Sequence, residues 1–208
     1  MSSNNINILI NILTRTGNRE NDFKTLNNSI KMQSYKNIRH LKSNDNPDCK
    51  YLKSESDVIS VLPNKDSGIC FYNLYLNELG KHINEGWVII LDDDSKIIDQ
   101  EFIKRLSIKC YNSKENDILI FQSFVGKNKN ALPNNTDMKN KKFRKLAVDM
   151  ACFCIHYSIL KDNKFTASKG GDINFLNLLQ ATKKYTFKYL NMPVGVWANY
   201  DGSKRGKN

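Results

Sequence analysis

The chain has 208 residues, enough for one domain with a substantial core. Hydrophobic residues make up 40% and aromatics 10%, as in a globular protein, and no apolar run approaches the ~20 residues of a membrane span. A formal charge of +11, mostly from lysine, favours anionic partners such as a nucleoside diphosphate, nucleic acid or an anionic membrane face; a solvated lysine surface is the plain alternative.

Ile6–Leu13 reads as a first strand, because Asn7 and Asn11 interrupt it too often for a signal sequence. It opens into Thr14-Arg15-Thr16-Gly17-Asn18-Arg19-Glu20-Asn21. Hydroxyls and guanidinium groups at the end of a buried strand suit a base, ribose or phosphate, although Thr14 or Asn21 could equally cap the next helix. Phe23, Leu26, Ile30 and Met32 give Asp22–Gln33 a helical apolar face. Tyr35–Leu41 is a second strand, followed by a polar loop in which Asp45 or Asp48 either meets a nucleoside or shapes the turn. Asp57–Leu62 is a third strand, closed by a loop containing Lys65, and Ile69–Ile83 is a helix buried on more than one side.

The chain is organised around Gly86–Ser95. Val88–Leu91 predicts a strand buried on both faces. Asp92, Asp93 and Asp94 follow directly; in extended chain Asp92 and Asp94 point one way and Asp93 the other. Like charges this close raise one another's pKa unless a cation lies between them, and hard oxygen ligands suit Mg²⁺ or Mn²⁺. In open α/β sheets ligands bind outside the carboxyl ends of the strands, where these acids lie. The plain alternative is a turn or helix cap, where Asp is common.

Ile97–Asp99, a helix over Gln100–Tyr111 and a strand over Asp117–Phe121 come next. The lysine-rich Lys127–Lys145 is a candidate lid or acceptor-binding loop. Leu146–Leu160 is core, so Asp149 needs a partner if buried. Cys152 and Cys154 alternate within it; five cysteines without a Cys-x-x-Cys pair argue against a disulfide framework and fit a reducing, cytoplasmic setting. His156 is either a site residue or a satisfied core histidine. Asp172 precedes a helix over Ile173–Ala181, as an N-cap or as a general base on a glycine-flexed loop. Thr186–Leu190 is the last strand. The expected organisation is one domain over residues 1–199 with a basic tail over 200–208.

The alternation predicts an α/β, three-layer sandwich with a mostly parallel mixed sheet. Gly-x-Gly-x-x-Gly and Gly-x4-Gly-Lys-Ser/Thr are both missing, which removes the main support for dinucleotide and P-loop readings.

Thr14–Arg19, the Asp-x-Asp strand Trp87–Asp94, Val148–Phe153 and Gly170-Gly171-Asp172 together resemble the nucleotide-sugar glycosyltransferases of the GT-A fold, most closely the small domain found in large DNA viruses. The resemblance implies that Thr14, Arg15 and Arg19 hold the nucleotide, with Asp45 and Lys65 near the base. Asp92 and Asp93 would lie on the donor side, with Asp92 touching the ribose or the metal's water shell. Asp94 would bind Mn²⁺ or Mg²⁺ across the diphosphate of a UDP-sugar. Asp172, or else Asp149, would deprotonate the acceptor hydroxyl of a glycan or glycoprotein in an inverting displacement, in the cytoplasm of a host cell if the chain is viral. Nucleic acid is not an expected partner. Two readings compete: a basic nucleic-acid-binding protein or nuclease using the same carboxylates, and a sugar nucleotidyltransferase.

Overall fold

The computed structural model of the protein describes residues 6–62, 70–142 and 148–200. Its centre is built by the most apolar runs, since a strand covered by helices on both faces must be hydrophobic on both. β1 (Ile10–Thr16) and β4 (Trp87–Ile90) lie side by side and are buried at every position. β2 (Ile38–Asn44), β3 (Val58–Ser60), β6 (Asp117–Ile120), β9 (Phe153–His156) and β10 (Thr186–Tyr189) complete a seven-stranded sheet of order β10-β6-β9-β4-β1-β2-β3. Every pairing is parallel except those of β9 with β4 and β6. The carboxyl ends of six strands therefore meet the amino end of β9 along one edge.

Alternation along the strands sends side chains to two cores. Leu13, Leu41, Val88, Ile90, Ile118 and Ile155 pack under α2 (Leu74–Gly80), α5 (Tyr157–Asp162) and α6 (Gly171–Ala181). Ile10, Ile12, Ile89, Leu91 and Leu119 pack under α1 (Glu20–Lys31) and α3 (Phe102–Tyr111). Each fully buried aliphatic side chain here is worth roughly 1.5–3 kcal/mol relative to exposure. The result is the expected three-layer α/β sandwich with a mostly parallel mixed sheet. All five cysteines are free and buried. No helix among the described residues is long and apolar enough to cross a membrane.

Three local expectations change. The helix expected over residues 69–83 is a 3-10 turn, Phe71–Asn73, followed by the seven-residue α2. Lys127–Lys145, expected as an irregular loop, contains β8 (Asn130–Leu132) and α4 (Asn135–Asn140). β8 pairs with β7 (Ser123–Val125), Leu132 and Met138 pack on the core, and Asn134 caps α4 by accepting from Asp137 N. Residues 143–147 of that stretch lie outside the described residues. β11 (Val196–Ala198) was not anticipated; it joins β5 (Lys96–Ile97), β7 and β8 in a second sheet of order β5-β11-β7-β8. Its three residues are too short to show a period and find their partners only across the fold.

Candidate active site

The acidic run lies where β4 ends. Leu91 still donates to Leu13 O, but Ser95 N then donates to Asp92 O at 2.8 Å, so the chain turns. The strict alternation expected of an extended strand is lost: Asp92 meets Arg15, while Asp93 and Asp94 both face Arg19. Arg15 Nε and Nη2 donate to Asp92 Oδ1 and Oδ2 at 2.7 and 2.5 Å, the bidentate fork that suits guanidinium and carboxylate. Its Nη1 donates to Asn73 Oδ1 at 2.6 Å, and the group lies 5.0 Å from the Tyr72 ring centre. Arg19 Nη1 donates to Asp94 Oδ2 at 2.7 Å, with Nε 3.6 Å from Asp93 Oδ1. Tyr200, assigned to the tail from sequence, donates its backbone N–H to Asp94 O and its hydroxyl to Asp22 Oδ1. Residues 201–208 lie outside the described residues.

Because β1 runs on to Thr16, Thr14 is an interior residue with no exposure. Its one hydroxyl proton goes to Leu91 O at 2.7 Å, so it must accept from His40 Nε2 at 2.8 Å. Burial, with Lys42 and Lys31 nearby, holds His40 well below its usual pKa and keeps it neutral. Thr14 thus braces β1 against the turn after β4 through its hydroxyl. Neither Thr14 nor Asn21 caps α1, whose N-cap position is Arg19. Tyr51 closes the following loop, its hydroxyl meeting Thr16 Oγ1 and accepting from Gly17 N. Asp45 follows β2 with its carboxylate against Gly17, where any Cβ would overlap it; it lies beside the Tyr75 hydroxyl, whose pKa burial and then the Asp45 charge push up. Lys65 lies outside the described residues.

Asp149 and Asp172 approach from two other segments. Asp149 Oδ1 accepts from Ala151 N at 2.9 Å and caps a 3-10 turn, Met150–Cys152, so β9 begins only at Phe153. Burial pushes its carboxyl up to about 7, opposed by the Ala151 N–H and reinforced by the charges of Asp172, Asp92 and Asp94. Asp172 is not an N-cap. That position is Gly170, in the left-handed region at φ +75°, and Asp172 sits in the first turn of α6, accepting from Ile173 N at 2.8 Å. Burial raises its pKa; the N–H bonds and Arg15 oppose the rise, and Asp92 adds to it. A carboxylate there also meets the positive end of the helix. His156, by contrast, pairs with Trp87 at the opposite edge of the sheet and belongs to the core.

Arg15, Arg19, Asp92, Asp93, Asp94, Asp149 and Asp172 thus share one edge of the sheet. Asn73 was missed from sequence; its only signal was a polar residue inside the apolar run at 69–83. Five carboxylates stand against two guanidinium groups in this set; burial is the main cause of the raised Asp149 and Asp172, and the neighbouring carboxylate charges add to it. Among the described residues no three His, Cys, Asp or Glu side chains are grouped to enclose a metal. The set fits a hard divalent ion held by one or two carboxylates and supplied with phosphate oxygens and water by its ligand.

No protein-family model matches the sequence, and no curated protein matches it. Solved structures do match. The chain superposes on S. aureus TarS 1-349 with a TM-score of 0.66 at 16% identity, covering 92% of this chain and 60% of that one. It superposes on the mannosyltransferase PcManGT from Pyrobaculum calidifontis, in complex with GDP-Man and Mn²⁺, with a TM-score of 0.67 at 14% identity, covering 96% and 58%. TarS 1-349 in complex with UDP-GlcNAc matches at a TM-score of 0.61 and 12% identity. The chain spans about three fifths of the length of these structures. Its fold is that of GT-A-type glycosyltransferases.

Proposed function

We propose that the protein is a metal-dependent glycosyltransferase that moves a sugar from a nucleotide-sugar donor, a UDP-sugar, to a hydroxyl of a glycan acceptor by an inverting displacement. The observation that carries this is the convergence of Asp92–Asp94, Asp149 and Asp172 with two arginines at the carboxyl edge of the sheet. The solved structures with the same fold support the donor class: TarS is seen with UDP and with UDP-GlcNAc, PcManGT with GDP-Man and Mn²⁺. The closer resemblance to the small domains of large DNA viruses rests on sequence segments alone and belongs to this proposal.

Asp94 would hold Mn²⁺ or Mg²⁺, and Asp92, held by Arg15, would lie beside the ion or the ribose. When bound, the divalent ion neutralises charge on the departing nucleoside diphosphate. Arg19, only partly buried, exchanges Asp94 for diphosphate oxygens. Asp45, whose carboxylate lies against Gly17, would meet the nucleoside. Asp172 takes the proton of the acceptor hydroxyl; a carboxyl raised by burial is a stronger base than an exposed one. Asp149 is the second candidate for that proton.

Thermal unfolding with Mn²⁺ and UDP tests the reading. Ligand at 100 times its Kd stabilises by ~2.7 kcal/mol, which for a domain of this size raises Tm by roughly 5–10 °C. Asp94→Ala should abolish that rise. Asp172→Asn should keep it and lose turnover of nucleotide sugar; if Asp149→Asn does so instead, the base is Asp149. A panel of UDP- and GDP-sugars giving neither shift nor turnover would sink the reading.

A further inference from the structure

We propose that Asn73 is a positioning residue: one buried amide ties the Asp172 loop to the Arg15–Asp92 pair and so fixes the acceptor side of the site relative to the donor side. The inference rests on the glycosyltransferase reading for its meaning, and on hydrogen bonds among the described residues for its geometry.

Asn73 ends the 3-10 turn before α2 and is 4% exposed. Its Oδ1 accepts from Arg15 Nη1 at 2.6 Å; arginine only donates, so the atom facing it must be the oxygen. Its Nδ2 then donates to Thr166 O at 3.3 Å and Ser168 O at 3.2 Å. These carbonyls lie on the segment that leads into α6 and Asp172. The contact is close: a Cβ on Gly171 would overlap Asn73 Nδ2. Gly171, the residue before Asp172, thus packs directly on this amide and leaves no room for a side chain. No other common side chain of that size offers an acceptor on one side and two donors on the other; Asp has no donor, and Ala has neither.

Asn77, one turn further on, supplies the contrast. Its Nδ2 donates to Phe165 O and its Oδ1 accepts from Phe165 N, both at 2.9 Å. It pins the start of the same segment with two bonds; the contact with Arg15 belongs to Asn73. If Asn73 served only to hold the loop, the two amides would behave alike.

Two measurements separate these cases. Steady-state turnover of the best nucleotide sugar from a UDP- and GDP-sugar panel is compared in wild type, Asn73→Asp, Asn73→Ala, Asn77→Ala, Gly171→Ala and Asn73→Ala/Gly171→Ala, with thermal unfolding as the fold control. Asn73→Asp keeps an acceptor for Arg15 but turns an anion toward two carbonyls; kcat should fall by up to about 100-fold with little change in donor KM, as expected for misplacement of a reacting group. Asn77→Ala should lower Tm and spare kcat. Gly171→Ala should lower kcat in wild type and have little further effect once Asn73→Ala has removed the atom it strikes.

The second measurement needs no turnover. The Asp172 side-chain carboxyl resonance, assigned by Asp172→Asn, should move in Asn73→Asp and stay put in Asn77→Ala. Equal effects of the two asparagine variants on kcat and on that resonance would overturn the proposal, as would an unmoved resonance in Asn73→Asp. A moved resonance in a protein that turns over no nucleotide sugar would leave Asn73 as the tie and remove the glycosyltransferase reading instead.

Discussion

Arg15 and Arg19 leave the same stretch of chain, four residues apart, and both meet the acids after β4, yet they are held in opposite ways. Arg15 is 6% exposed, grips both oxygens of Asp92 and gives its remaining nitrogen to Asn73. Arg19 is 20% exposed and meets Asp94 through Nη1, with Asp93 at a looser 3.6 Å. Desolvation is the difference. A buried guanidinium bonded on three nitrogens is locked by its own desolvation, whereas Arg19 reaches solvent and can turn to a phosphate once a cation takes its place beside Asp93 and Asp94, whose side chains are only 4% and 9% exposed. The first pair is a strut of the site. In the proposed site the second is a counter-ion that a bound ligand would displace.

The largest expected effect breaks the strut. Asp92→Ala or Arg15→Ala leaves an unpaired buried charge and should cost roughly 3–5 kcal/mol of stability, measured by urea unfolding. A loss comparable to that of an exposed pair would show that Arg15 is no strut.

Asp149 extends the contrast, because its bonded partner is a backbone N–H in place of a guanidinium. Its folded pKa of about 7 exceeds the unfolded value of about 3.9, so across that interval the folded state binds more proton. This reverses the usual behaviour of a salt-bridged carboxylate: the contribution is complete below pH 4 and is lost as pH rises through 7. Asp149→Asn should flatten the fall and stabilise the protein at pH 8 by on the order of 2–4 kcal/mol. An unchanged slope of stability between pH 4 and 8 would place Asp149 in better-solvated surroundings.

The smallest expected effect tests the counter-ion. Arg19→Ala takes the guanidinium away from two nearly buried carboxylates and should cost roughly 1–3 kcal/mol in the absence of metal. It should tighten Mn²⁺ binding to the nucleotide-free protein, because a competing cation beside Asp94 is gone, and weaken binding of UDP. Isothermal titration reads both; equal Mn²⁺ affinity with and without Arg19 would put the ion elsewhere.

Much of the scaffold was legible because the positions of the buried strands along the chain follow from local apolar runs. Val88–Leu91, Asp117–Phe121 and Thr186–Leu190 each fall on a strand, and Gly171–Ala181 begins two residues earlier than its apolar spacing indicated. The short elements were not legible. β11 has three residues, and α4 lies in a lysine-rich stretch where, among the described residues, the apolar anchors Leu132 and Met138 acquire meaning only on the core.

The amino-acid sequence alone determined the α/β alternation, the acidic run at the end of a buried strand and the residue types available for binding, because each is written in neighbouring positions. The tertiary structure alone decided which arginine faces which acid, that Thr14 turns inward, that Gly170 and not Asp172 caps α6, and that Asn73 joins three segments. Arg15 and Asp92 are 77 residues apart, and Asn73 and Ser168 are 95. Hydrogen bonds over such separations depend on the twist and register of the whole sheet, and no local pattern records them.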